Sequence, residues 1–209
     1  MHNTKEVSAE IGNEYKATSI EKIGLHQWNE FLELIRSFHG HVAPGVVIGG
    51  IMISIARKQL PEGILFDAIC ETSACLPDAV QIFTPCTVGN GWLKVVNLGR
   101  FAISLYDKHS GNGVRIWLDP VKLQHWDEIR SWFLKLKTKR EQNTDRLLEQ
   151  IRNVGAGIYT IRQVQIKPEY LTKHSKGPIE ICSVCGEAYP ARDGVVCLGC
   201  QGEAPYRVG

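Results

Sequence analysis

Residues 92–119 read WLKVVNLGRFAISLYDKHSGNGVRIWLD, and the places where this stretch breaks decide the fold. Three apolar runs, WLKVVNL, RFAISLYD and VRIWLD, are separated by Leu98-Gly99 and by the glycine-bearing segment from His109 to Gly113. Short runs rich in β-branched and aromatic residues, punctuated by glycine turns, are strand signals, and short turns favour antiparallel neighbours. The stretch is therefore expected to form a three-stranded antiparallel meander, with IYTIRQVQI at 158–166 as one more strand. Upstream, ILFDAICET (64–72) alternates: Ile64, Phe66, Ala68 and Cys70 share one face, while Asp67 and Glu71 lie on the other.

Helical patterns surround these strands. HQWNEFLELIRSF (26–38) places Trp28, Phe31, Leu32, Ile35 and Phe38 at steps of three and four, an amphipathic helix that Gly40 and Pro44 interrupt. VVIGGIMISIARKQL (46–60) is apolar nearly all round until Arg57 and reads as a buried helix. Its Gly49-Gly50 pair predicts close approach by another element, since a helix-interior glycine costs roughly 1 kcal/mol against alanine. ACLPDAVQIF (74–83) reads as a helix entered near Pro77. From Trp126 to about Val154 the chain is charge-rich and helical, with Ile129, Trp132, Phe133 and Leu136 as its buried stripe. Helices gathered in blocks around an antiparallel sheet give an α+β fold, an antiparallel sheet with packed helices. KHSKGP (173–178) reads as a linker, so residues 1–174 are expected to form the core domain and 175–209 a separate module.

Composition narrows the function classes. Across 209 residues, 44% hydrophobic and 22% charged content suits a soluble domain with a proper core. A formal charge of +2 predicts no strong attraction to nucleic acid or anionic membranes. The N-terminal MHNTKEVSAE is polar and mixed in charge, and no long apolar run exists, so neither signal peptide nor membrane anchor is expected. A cytoplasmic location follows as the expectation. In that reducing setting an odd count of seven cysteines favours metal ligands or reactive thiols over bridges.

Four of those cysteines lie in ICSVCGEAYPARDGVVCLGCQGE, where Cys182, Cys185, Cys197 and Cys200 are spaced C-x2-C-x11-C-x2-C. Each C-x2-C turn offers two thiolates from one tight bend, and two such turns make the tetrahedral set that zinc prefers. YPARDGVV between them reads as a short hairpin turning at Asp193-Gly194. About thirty residues bury too little to fold alone, so a structural zinc is expected to supply most of the folding free energy. From Ile179 onward Arg192 and Arg207 stand against Glu180, Glu187, Asp193 and Glu203, the wrong sign for a phosphate footprint. Nucleic acid is not an expected partner.

The remaining cysteines are Cys70, Cys75 and Cys86. Cys70 alternates with Phe66 and reads as a small core residue. Cys75 precedes the Pro77 helix, whose N-terminal dipole is expected to lower the thiol pKa, and Asp78 can reach the same region. Cys86, Thr87 and Asn90 share a glycine-rich loop where side chains can converge on a ligand. His39-Gly40-His41 leaves two readings open: a satisfied polar loop, or two imidazoles on one metal with Cys75 or water completing the set.

FHGHVAPGVVIGG, CETSACLPDAVQIFTPCTVGNGWLKV and GRFAISL, in that order and followed by the four-cysteine tail, resemble the FmdE-like family related to formylmethanofuran dehydrogenase. The resemblance runs from about Trp28 to the C-terminus. It implies an α+β core, often dimeric, followed by a treble-clef zinc finger. It also implies a second metal, with zinc again a candidate, in a core site built from the His-Gly-His block and the following cysteine. Carried onto this chain, the implied catalytic and metal positions are His39, His41, Cys75 and Asp78, with Cys86, Thr87 and Asn90 as cofactor-binding positions in the later block. The chain departs from the pattern at Ala43, where members commonly carry a cysteine before the proline, and at Arg100, where lysine is usual. Two functions are expected: a metal-dependent enzyme or redox accessory of one-carbon metabolism, or a non-catalytic metal or cofactor carrier that assembles with a molybdenum or tungsten oxidoreductase. A homodimer is the expected assembly.

Overall fold

In the computed structural model, residues 20–172 and 177–207 are described. The chain divides into two compact units, one ending at Lys167 and the other beginning at Pro168. The expected linker residues 173–176, the expected boundary after residue 174 and the N-terminal decapeptide lie outside the described residues.

The first unit opens with a two-residue ribbon, β1 (Lys22–Ile23) against β2 (His26–Gln27). Next comes α1 (Trp28–His39), whose first turn is closed when the Gln27 N–H donates to Glu30 Oε2 at 3.0 Å. Trp28, Phe31 and Ile35 form its buried stripe. Phe38, expected in that stripe, is 55% exposed: it lies in the final turn, beyond the helices that cover Phe31 and Ile35. Gly40 ends the helix in the left-handed region, φ 87°, where its N–H donates to the Arg36 carbonyl.

The buried α2 (Pro44–Arg57) follows after a short turn, with Pro44 in its first turn. Its two inner glycines have the packing reason that the sequence predicts. A Cβ on Gly49 would stand 2.6 Å from the Ala79 Cβ, and one on Gly50 would stand 2.5 Å from Phe31 Cε2 and 2.8 Å from Phe83 Cε2. Phe31 and Phe83 are stacked, with ring centroids 4.8 Å apart, and Phe31 is fully buried. Gly50→Ala is therefore expected to cost about 1–3 kcal/mol through overpacking, more than the roughly 1 kcal/mol of helix propensity it recovers. A lower urea midpoint at unchanged slope is the expected reading, and an unchanged or raised midpoint would show that the rings yield freely.

The remaining elements of this unit are β3 (Phe66–Cys70), α3 (Leu76–Phe83), β4 (Leu93–Val95), β5 (Ala102–Asp107), β6 (Asn112–Leu118), α4 (Asp127–Phe133), α5 (Thr144–Val154) and β7 (Tyr159–Gln165). The five-stranded sheet runs β4-β3-β5-β6-β7. All of its pairs are antiparallel except β3–β4, which is parallel with Ala68 opposite Leu93. The α+β class holds, but the three-strand meander does not. β3 is inserted between β4 and β5, and α3 provides the crossover a parallel pair requires. The Leu98-Gly99 bend departs from the hairpin expectation for a definable reason. The N–H groups of Leu98 and Arg100 both donate to the Glu71 carbonyl, so the chain passes over the end of β3 instead of folding β4 onto β5.

The core lies between the sheet and the helices. Ala68, Cys70, Ile103, Leu105, Val114, Ile116 and Leu118 join Val46, Val47, Met52, Leu76 and Ile151 in one cluster. The expected helix from Trp126 to Val154 is two helices, and Leu136 lies in the connection at 56% exposure. Ile129 is buried, while Trp132 and Phe133 are half-buried around Phe101.

The second unit holds α6 (Pro168–Leu171) and a two-stranded ribbon, β8 (Ile179–Ile181) against β9 (Ala188–Pro190). Asp193-Gly194 is not a hairpin turn. β9 is paired with β8 across the Cys182–Gly186 bend, and Ala191–Asp193 forms a single 3-10 turn. Tyr189 draws that segment in by donating its hydroxyl to the carbonyls of Gly194 and Val195 at 3.1 and 2.9 Å. No described helix is long and apolar enough to cross a membrane.

Candidate metal centres

The second unit carries a donor set fit for zinc. Among the described residues one group of three or more histidine, cysteine or acidic side chains has its ligating atoms all within 4.8 Å of one another, and it is Cys182, Cys185, Cys197 and Cys200. The Cys185 and Cys197 sulfurs are 3.6 Å apart. A tetrahedron with zinc–sulfur bonds of about 2.3 Å has edges of about 3.8 Å, so the set is already near the dimension zinc requires. Local hydrogen bonds shape both bends. The Gly186 N–H donates to the Cys182 carbonyl, and the N–H groups of Cys200 and Gln201 donate to that of Cys197. Backbone N–H groups of Cys185, Cys197 and Val184 aimed at the Cys182 sulfur pull its pKa down to about 6, favouring the thiolate that binds metal.

The first unit brings together most of the other residues that the sequence nominates. His39 closes α1, Gly40 turns the chain, and His41 precedes Ala43 at the head of α2. The imidazoles of His39 and His41 stand with ring centroids 4.9 Å apart. His39 Nδ1 is hydrogen-bonded to Asp78 Oδ2 at 2.6 Å, which ties the end of α1 to the first turn of α3. Asp78 is 35% exposed and the His39 side chain 20%, so the pair lies at the rim of the core rather than within it. His39, His41 and Cys75 do not form a second closed ligand group in this arrangement.

Cys75 sits immediately before α3 with φ 58°, a left-handed conformation uncommon for a residue with a Cβ. Its side chain fills the space over Gly45 of α2. A Cβ added at Gly45 would stand 2.8 Å from the Cys75 sulfur and 3.5 Å from Trp132 Cζ2. Gly45 is thus what lets thiol and indole share one spot, a role hidden in a sequence rich in glycine. The expected low thiol pKa is not found. Burial pushes the Cys75 thiol up, the Asp78 carboxylate adds to that, and the Lys135 ammonium pulls in the opposite direction. Desolvation and the neighbouring carboxylate outweigh the end of an eight-residue helix. Lys135 and Trp132 are members of this neighbourhood that the sequence does not mark as site residues. The helical spacing of Trp132 assigns it wholly to the core, and Lys135 belongs to no motif.

Cys86, Thr87 and Asn90 are placed otherwise. Cys86 is fully buried, its thiol hydrogen directed at the Phe66 carbonyl at 3.4 Å and its pKa pushed up by burial. Asn90 Oδ1 accepts from the N–H groups of Thr87 and Trp92, its Nδ2 donates to the Pro85 carbonyl, and Thr87 Oγ1 accepts from the Asn90 N–H. These groups shape the loop that leads into β4. Cys70 is the core residue expected, fully buried, with burial raising its thiol to about 12.

Glu71, one residue beyond β3, is a buried acid that no sequence motif marks. Its carboxylate receives Arg115 Nε and Nη2 at 2.6 and 2.8 Å and pairs with Arg100 Nε at 2.7 Å. Arg100 thus has a structural assignment at the position where the resembling family usually carries lysine.

Comparison with known proteins agrees with this architecture. The family described as "FmdE, Molybdenum formylmethanofuran dehydrogenase operon" matches residues 38–167, and "FmdE treble clef zinc finger" matches residues 173–207. The crystal structure of an FmdE-like protein of tungsten formylmethanofuran dehydrogenase from Syntrophus aciditrophicus is similar at 54% sequence identity with a TM-score of 0.85. That likeness covers 91% of this chain and 100% of the other. A curated protein of Archaeoglobus fulgidus, named "Probable S-adenosyl-L-methionine-binding protein", is 31% identical over 190 residues, 80% of this chain. The chain spans 51% of that relative's length.

Proposed function

The chain belongs to the FmdE family, and from that premise we propose a metal-dependent enzyme or redox accessory of one-carbon metabolism, with a structural zinc in its second unit and a second metal at His39, His41 and Cys75. The observation that carries the core site is the 2.6 Å bond between His39 Nδ1 and Asp78. Metal-ligating histidines characteristically give one ring nitrogen to a carboxylate, which fixes the ring and raises the basicity of the other. Asp78 does this for His39 and leaves Nε2 as the ligating atom. His41, close beside it, offers a second imidazole, and Cys75 a thiol that metal binding would deprotonate. A metal held there polarises a carbonyl or activates water. Asp78 orients His39 and can take up a proton at the rim of the site.

Ala43 favours a second reading, a metal or cofactor carrier that assembles with a molybdenum or tungsten oxidoreductase. It is buried at the head of α2, two residues after His41, where a cysteine would add a thiol and alanine adds none. Both readings require the core metal, and a homodimer is proposed for both.

Metal content of the full chain tests the core site. Protein purified without chelators is expected to carry about two metals per chain, and His39→Ala/His41→Ala about one, the loss coming from the first unit. A wild-type ratio of one, unchanged in the variant, would remove the core metal from the account.

A further inference from the structure

The core site has a cationic neighbour that none of its proposed metal chemistry uses. The segment that follows α4 reads LKLKTKR from Leu134 to Arg140, with four basic residues and no acid. Lys137 is committed to the buried Glu128, Nζ to Oε1 at 2.9 Å. Lys135, Lys139 and Arg140 are exposed and, among the described residues, take part in no ion pair. Glu141, next in the chain, is turned to the N–H and hydroxyl of Thr138.

The backbone aims this segment. Lys135 adopts φ 57°, and the N–H groups of Lys135 and Leu136 donate back to the carbonyls of Trp132 and Ser131. That is a Schellman-type helix end, with lysine where glycine is the usual residue. It sets the Lys135 ammonium 5.7 Å from the centre of the Trp132 ring. The same indole shares with Cys75 the space over Gly45, and Lys135 is near enough for its charge to act on that thiol. Gly45, Cys75, Trp132 and Lys135 are therefore contiguous, running from the proposed reacting groups out to exposed cations.

We propose that Lys135, supported by Lys139 and Arg140, is an anion-recognition lip of the core site and that the molecule handled there carries a carboxylate or phosphate. The inference rests on the core-site reading for where the reacting end lies, but not on any metal for anion binding itself. Unpaired ammonium and guanidinium groups beside a half-buried aromatic ring attract an anion from solution and hold it by charge-assisted hydrogen bonds. The ring covers the apolar part of the same molecule.

Calorimetric titration of the full chain with inorganic pyrophosphate and with citrate separates the two anion sources. At least one is expected to bind saturably, about tenfold more weakly to Lys135→Gln/Lys139→Gln/Arg140→Gln and unchanged to His39→Ala/His41→Ala. A second readout locates the anion. In the His39→Ala/His41→Ala background, alkylation of Cys75 by iodoacetate relative to iodoacetamide is expected to fall about fivefold when the three cations are removed. Absence of saturable binding by wild type, equal binding by the charge variant, or an alkylation ratio indifferent to the cations would each overturn the proposal. Loss of the core metal reading shows instead in metal content, which these titrations do not measure.

Discussion

Cys200→Ser is expected to release the zinc and to unfold the second unit. Among its described residues only Cys182 and Tyr189 are buried, while Ile179, Ile181, Val184 and Val195 are 57%, 69%, 70% and 92% exposed. So little buried apolar surface cannot offset the conformational entropy of ordering the segment. The bends at Cys182–Gly186 and Cys197–Gln201 are short local hydrogen-bonded turns, individually marginal. What joins them is the metal, whose binding to such a set is worth about 10–16 kcal/mol at neutral pH. Loss of one thiolate is expected to give stoichiometric zinc release and rapid proteolytic cleavage between residues 177 and 207 under conditions where wild type resists. Retention of zinc together with protease resistance would mean that packing, not the metal, holds this unit.

Glu71→Ala is expected to be the most damaging single change in the first unit, at about 3–5 kcal/mol, because it strands the Arg115 guanidinium. The Glu71 side chain is 7% exposed and that of Arg115 22%, so neither charge is well hydrated. Arg100, 58% exposed, contributes less through its charge than through its backbone N–H, which helps to hold the chain over the end of β3. The hydrogen bonds from Arg115 outweigh burial and hold the Glu71 carboxyl below the ordinary carboxylate range. A depressed folded-state pKa gives a stability contribution that is complete above the unfolded value of about 4.3 and is lost as pH falls through the folded value. Urea midpoints measured from pH 7 down to pH 3 are therefore expected to fall for wild type and to fall less for Glu71→Gln. Equal slopes in the two proteins would place the acid sensitivity elsewhere.

The structure also shows why parts of the chain are readable and others are not. α1, α2 and α3 follow from apolar spacing plus Pro44, Pro77 and Gly40, all signals local to a few residues. The order of the sheet is not local. The bend at Leu98-Gly99 looks like a hairpin until the Glu71 carbonyl, distant in sequence, takes two of its N–H groups. The same limit applies to sites. The four tail cysteines are legible because their spacing is the geometry of the ligand set. His39 and Asp78 are legible as candidates, but the bond between them depends on how the end of α1 meets α3. Trp132 and Lys135 come to Cys75 only because Gly45 leaves room, and the pKa of that thiol answers to burial rather than to its position before a helix.

The central claim is that His39, its ring oriented by Asp78, binds a metal with His41 and Cys75. Diffraction from crystals of the full chain grown without chelators, with anomalous data above and below the zinc edge, tests it most directly. The account predicts two anomalous peaks per chain, one within the four cysteines and one within about 2–2.5 Å of His39 Nε2 and His41. A single peak at the cysteine cluster, with His39 still bound to Asp78 and nothing on its other nitrogen, would contradict it.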